Sequence, residues 1–434
     1  MLSIIGLVLG IGLFIYASYK RVNIVLASLL ACVLMAAFSK MPVYEMLMGP
    51  YMSGLSDFLN SYFLMILFSA VLGRLMNDGG GAKKIAVTFS KMVEHSDPQR
   101  QKFMCVLLVA ALYYLFSYIG ISGFVLVFTI MPIAKHLFHS TDTPWRLYCF
   151  GGVQNASSSM LIASLNHGNI YAADFCGTGT TAGPALSIIA TALWWGSTLV
   201  LIHLFLMDAK RRHETFLTDG AAVLAATIND TDSEDGELPP LFLSLTPMLV
   251  VMTCTAIFKI AITKSLVIGC VVAIVLLYPQ LKAGLKASLT KGVTDCYGSA
   301  FTVAALYGFG NVVKQIPGFI SFTGTLSILP SMLQGSILGA AAAFIIAGSP
   351  IPIFGKQILD CYLTAGLSPA LAHRMMTITG WTSIAPHSAG LSNSASVTKI
   401  DYGRCLQVYM TAAYVPGIIV TVVCQLLLSS GLIH

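Results

Sequence analysis

The sequence predicts an all-α polytopic membrane protein made of two repeats of inverted topology, each carrying a broken or re-entrant helical hairpin. Three observations predict this. First, 56% of the 434 residues are hydrophobic and only 10% are charged, with a mean hydropathy of +0.81, far from the average of soluble domains. Second, apolar stretches near the length of about 20 residues needed to span a bilayer recur at 2–18, 22–39, 61–76, 102–119, 121–133, 184–207, 241–261, 265–278, 332–347 and 406–430. Third, two polar segments interrupt these runs at matching places on either side of the midpoint.

Residues 2–18 read as a retained span. No positive region precedes them, no A-x-A site follows, and Lys20-Arg21 comes directly after. That pair puts the first short loop in the cytoplasm and the amino end outside. The insertion at 208–240 begins with Lys210, Arg211 and Arg212, which also marks a cytoplasmic side. It ends in Asp230, Asp232, Glu234, Asp235, Glu237 and Pro239-Pro240, the composition of a mobile linker. The expected division is therefore a first transmembrane repeat at 1–207, a linker at 208–240 and a second repeat at 241–434. The sequon at Asn229 carries no meaning in a cytoplasmic loop.

The repeat rests on the order of features. An apolar span with a Gly-rich turn (63–86) is answered by 300–322, and YCFGGVQNASSSMLIASLNHGN (148–169) by MTITGWTSIAPHSAGLSNSAS (376–396). An odd number of crossings in each half inverts the second. Inside hydrocarbon, hydroxyls and broken backbone are costly unless protein or trapped water meets them. Two such segments in matching positions predict paired tips near the bilayer midplane. Their freed N–H groups and Ser/Asn side chains suit an anion, and freed carbonyls suit a cation.

The expected substrate groups are Asn155, Ser157 and Ser158 at the first tip, and Pro386, His387, Ser388, Ser392, Asn393 and Ser394 at the second. The serines alternatively ease helix packing. His167, His387, Asp174 and Asp360 are the candidates for a coupling ion, since an intramembrane ionisable residue is a functional hypothesis by default. The alternative for each is an interfacial position near the end of a span. Lys399 reads better as a snorkelling side chain than as part of the site.

Three stretches resemble the gluconate permease family: GRLMNDGGGAKKIA (73–86), GTTAGPALSIIATAL (179–193) and APHSAG (385–390). The second lacks the proline-histidine that precedes it in that family. The resemblance implies membership of the wider ion-transporter superfamily, whose members carry gluconate, citrate or dicarboxylates in symport with protons or sodium. It also implies an elevator-like motion of a transport domain against a scaffold, an inner-membrane location and, for some members, a homodimer. QNASSS (154–159) and LSNSAS (391–396) look like loose versions of a Ser-Asn-Thr tip motif, without being the full motif.

The resulting expectation is a proton-coupled symporter of a small organic carboxylate such as gluconate. The alternative is a sodium-coupled di- or tricarboxylate carrier with Asn155 and Asn393 at the sodium. No cofactor is expected, and the bilayer and the anion are the expected partners. A channel would show a repeated filter motif. An enzyme would show strings such as H-E-x-x-H or G-x-S-x-G, and neither occurs. The net charge of +6, from 24 basic and 18 acidic residues, fits cytoplasmic loops, and no basic stretch with interleaved aromatics suggests nucleic acid. Ten cysteines lack ligand spacing; Cys105, Cys254, Cys270 and Cys424 sit in apolar runs and read as small buried hydrophobes.

Overall fold

Helices dominate because hydrocarbon offers no partner to an unpaired N–H or C=O. The computed structural model describes residues 2–433 apart from 21, 82–83, 86, 89–90, 92–96, 119, 121–122, 228–237 and 259, and among them there is no strand. The first half runs α1 (Leu2–Tyr19), α2 (Ile24–Phe38), α3 (Val43–Asp78), α4 (Pro98–Tyr118), α5 (Gly123–Ser140), α6 (Cys149–Ser157), α7 (His167–Cys176) and α8 (Pro184–Arg211). After α9 (Leu217–Thr227) come α10 (Leu241–Ala256), α11 (Ile262–Leu276), α12 (Leu285–Gln315), α13 (Pro317–Thr325), α14 (Ser331–Ile346), α15 (Ile351–Thr364), α16 (Pro369–Ile378), α17 (Ala389–Thr398) and α18 (Tyr402–Ser429).

Among the described residues α1, α3, α4, α8 and α18 are long and apolar enough to cross a membrane. The 28 residues of α8 make it about 42 Å long, so Lys210 and Arg211 in its last turn reach past a hydrocarbon core of about 30 Å. Val8, Leu26, Val200, Val275 and Ile418 are large, exposed and apolar, as a lipid-facing belt requires. The chain is a multi-pass membrane protein. The cysteines expected in the core, Cys105, Cys254, Cys270 and Cys424, are buried free thiols.

Two packing groups position the site. In one, α3 and α12 pack against each other, with α2 against α12 and α11 against α3. Small residues let the central pair close up: a Cβ on Gly292 would lie 2.8 Å from Val71 Cα, and one on Gly308 2.6 Å from the Tyr51 carbonyl. Pro50, which has no N–H to donate, sits in the π-turn Leu47–Tyr51 inside α3. In the other group α4 packs on α5 and α6, α14 on α15, α7 on α15 and α16, α5 on α17, and α8 on α18.

Residues 208–227, expected as the start of a mobile linker, are ordered and packed. Phe216 and Val223 are buried. Glu214 accepts hydrogen bonds from Arg146 Nε (2.7 Å) and Arg404 (2.5 Å), Asp219 from Arg404 (2.7 Å), and Asp208 from Arg146 (2.9 Å). Enclosed opposite charges explain the difference, because removing one partner of a buried pair costs about 3–5 kcal/mol. The cluster joins α8–α9 to the start of α18 and to the turn before α6. The acidic end of the expected linker, with Asn229, Asp230, Asp232, Glu234, Asp235 and Glu237, lies outside the described residues.

Candidate substrate-binding site

Each polar segment is a helix that tightens, breaks and restarts. α6 passes into a 3₁₀ turn at Ser158–Met160, and α7 begins at His167 with Asn166 as its cap. α16 passes into a 3₁₀ turn at Thr379–Ser383, and α17 begins at Ala389 with Ser388 as its cap. Two further breaks separate α4 from α5 and α14 from α15. The first uses Gly120 at φ 93°, where a Cβ would also press to 3.0 Å from the Leu165 carbonyl. The second uses Ala347 in the left-handed region at φ 49°, a conformation that costs an L-residue about 1 kcal/mol or more.

All four breaks open on one cavity of about 210 Å³. Its walls include the starts of four helices: Gly123 of α5, His167 and Gly168 of α7, Pro350 and Ile351 at α15, and Ser388 and Gly390 at α17. The first amides of a helix have no intrahelical acceptor, and the aligned peptide dipoles make that end positive. The lining also takes in unbroken helices, with Phe58, Tyr62 and Met65 of α3 and Val303, Leu306 and Tyr307 of α12. Ring centroids lie 4.7 Å apart for Phe58–Tyr307, 5.1 Å for Phe58–Tyr62, 5.3 Å for Tyr62–His167 and 5.8 Å for Tyr62–Tyr171. Among the described residues, no Asp, Glu, Lys or Arg lines the cavity. Such a pocket suits a small anion with a polar or compact remainder.

The first tip satisfies itself. Ser117 Oγ donates to Asn155 Oδ1 at 2.5 Å. Asn166 Nδ2 reaches Ser117 Oγ at 2.9 Å, Ser158 Oγ at 3.0 Å and the Asn155 carbonyl at 3.2 Å. Its Oδ1 meanwhile accepts from Gly168 N–H at 3.0 Å, capping α7. One amide side chain thus ties the end of α4, the end of α6 and the start of α7 together.

Behind this tip lies a pair the sequence reading did not single out. His373 and Arg374 of α16 are fully buried. Arg374 donates to the carbonyls of Ala182 (2.5 Å), Thr180 (2.7 Å) and Met160 (3.5 Å) and to Asn169 Oδ1 (2.8 Å). His373 Nε2 lies 2.8 Å from the same Asn169 oxygen, and its Nδ1 2.7 Å from the Thr178 hydroxyl. With Nε2 protonated, the neutral ring donates to Asn169 and accepts from Thr178. Gly183 stands against Arg374 at φ 56°, and a Cβ there would come within 2.7 Å of Arg374 Cγ. The signal was available: a His-Arg pair between apolar runs is an intramembrane charge.

The structure sorts the expected site residues. Asn155, His167 and Ser388 line the cavity. Ser158 holds the first tip from within, as above. Ser157 turns the other way, toward Gln154, whose Oε1 accepts from Ser157 Oγ and Trp194 Nε1, each at 3.0 Å. His387 does not line the cavity: it is buried against Phe14 (4.8 Å) and Phe344 (5.7 Å), with Nε2 3.0 Å from the Ile345 carbonyl. The Pro386 carbonyl accepts from the Tyr402 hydroxyl. Ser394 bonds Tyr409 OH at 2.8 Å and so stands one residue behind the wall; Ser392 and Asn393 are half-buried on α17 away from it. Asp174 is exposed near the end of α7, and Asp360 is exposed and paired with Lys356 at 3.0 Å. Lining residues that sequence reasoning missed include Tyr62, Tyr307, Ser349 and Ser383. Tyr62 and Tyr307 belong to helices that read as plain apolar spans, while Ser383 lies inside the polar segment 376–396 without having been singled out.

A family profile described as GntP family permease matches residues 2–392. The chain belongs to that family. It is similar to the uncharacterized transporter YxjC of Bacillus subtilis (strain 168), at 20% identity over an alignment that takes in 92% of this chain and 93% of that protein. The family resemblance read from residues 73–86, 179–193 and 385–390 is thereby borne out, and the protein is a transporter and not an enzyme.

Proposed function

We propose that the protein is a secondary active transporter that carries a small organic carboxylate, such as gluconate or a related sugar or hydroxy acid, across the inner membrane in symport with protons. The observation that carries this reading is the convergence of four helix starts on a cavity whose lining, among the described residues, holds no acidic side chain. A carboxylate fits that field without a cationic side chain in contact. His167 is the coupling candidate, because it lines the cavity beside Tyr62 while His387 is enclosed.

The same reading takes the halves as inverted repeats. In its favour, α2 packs on α12 as α11 packs on α3, and α5 on α17 as α7 on α15. The glycine-tight α3–α12 pair would be the fixed frame, and the broken helices with α8 and α18 the part that moves. The test is flux into proteoliposomes loaded with a pH-sensitive dye, with gluconate, lactate, citrate, succinate and butyrate offered with and without sodium. Acidification with a monocarboxylate in sodium-free buffer is expected. A strict sodium requirement would replace protons by sodium, and no flux with any of the five would overturn the organic-anion reading.

A further inference from the structure

Arg374 is a buried cation without a counter-charge. It is fully buried, and among the described residues it forms no ion pair. Its contacts are carbonyl oxygens and one amide oxygen, which take up four of its five N–H groups and leave its unit charge uncancelled. A neutral donor would meet the same carbonyls without the desolvation cost of a buried guanidinium. The charge also sits close to the cavity. Met160, whose carbonyl it reaches, directly follows the lining residue Ser159, and Asn169, which accepts from it, directly follows the lining residue Gly168.

We propose that Arg374 is a positioning residue whose positive charge is balanced by the carboxylate of the carried substrate, one layer behind the wall that the substrate touches. The proposal rests on the reading of the cavity as an organic-anion site and adds the group that sets its preference for charge. The fork of Arg374 holds the turns at 158–160 and 178–183 in place. Its field reaches the cavity through a short, low-dielectric path, where charges interact far more strongly than in water. A purely structural clasp would hold the same turns and leave the preference for an anion to the helix starts alone.

The experiment compares gluconate with gluconamide, its uncharged amide, as competitors of substrate binding and as stabilisers of the purified full-length protein. Wild type should bind the acid at least about tenfold more tightly than the amide. R374Q should cut that ratio several-fold, leaving only the preference that the helix starts supply. R374K, which keeps the charge and loses the fork, should weaken both ligands and keep a preference for the acid. N169A, which loosens the clasp and keeps the guanidinium, should lower both ligands alike and leave the ratio as in wild type.

An unchanged acid-to-amide ratio in a folded R374Q protein would overturn the proposal while leaving the anion site intact. Equal binding of acid and amide by wild type would overturn it without any variant, even if R374Q fails to fold. Binding of neither ligand, in a protein that also transports none of the five acids, would instead remove the underlying reading and the proposal with it.

Discussion

The two broken tips share one pattern and are held in opposite ways. The first is knitted from inside: Ser117, Asn155, Ser158 and Asn166 bond one another, and Arg374 reaches in from the other half to grip the turn behind them. The second is tied outward to other helices: Thr382 Oγ1 donates to the Ala340 carbonyl at 2.6 Å, Trp381 Nε1 to Thr421 at 3.0 Å and the Tyr402 hydroxyl to the Pro386 carbonyl, while Ser394 bonds Tyr409 OH at 2.8 Å. The break also leans on rings of α1 and α14. Broken backbone inside a membrane can therefore be stabilised by bonds within the tip or by bonds and packing against neighbouring helices. A networked tip resists movement, because its bonds fail together.

The largest expected effect comes from breaking the knit. N166A removes the cap of α7 and leaves Ser117, Ser158 and the Asn155 carbonyl short of partners, so it should destabilise the protein by about 3 kcal/mol and abolish uptake. Thermal unfolding in detergent and flux in proteoliposomes check this. Next is G152A: its Cβ would fall 1.8 Å from Tyr409 OH, intruding where Gly152 and Tyr409 line the cavity. Overpacking of about 1–3 kcal/mol and a raised KM for the anion are expected.

The histidines sharpen the contrast further. Proton-driven uptake should rise as external pH falls; H167Q should flatten that profile while anion exchange persists. H387Q should keep the profile and lose about 1 kcal/mol of stability through the Ile345 carbonyl. The smallest effect belongs to D360N, which breaks an exposed i,i+4 pair and should change stability by less than about 0.5 kcal/mol with full uptake. Loss of transport in D360N would put the coupling path on the surface of α15 and not at the tips.

Much of this was legible in the sequence for a physical reason. Hydroxyls and amides are rare inside apolar runs, so QNASSS and PHSAGLSNS mark the two breaks directly, and Asn155, His167 and Ser388 follow from them. The interruptions at Gly120 and after 347 show as ends of apolar stretches, but the backbone with positive φ at Gly120 and Ala347 was not legible. Nor was the direction in which a polar side chain points: Ser157 and His387 sit within a few residues of the wall and face away from it. Tyr62 and Tyr307 reach the site only because α3 and α12 pack together, a contact across about half the chain that no local pattern encodes. Arg374 was passed over because it stands just before the polar segment that drew attention.

The most direct test is a structure of the purified protein with gluconate bound, once flux has shown that it is carried. The carboxylate is expected where the starts of α5, α7, α15 and α17 meet, with the remainder of the molecule against Tyr62 and Tyr307. Ligand density outside this cavity, or a carboxylate turned toward the aromatic wall and away from the helix starts, would contradict the assignment of the site.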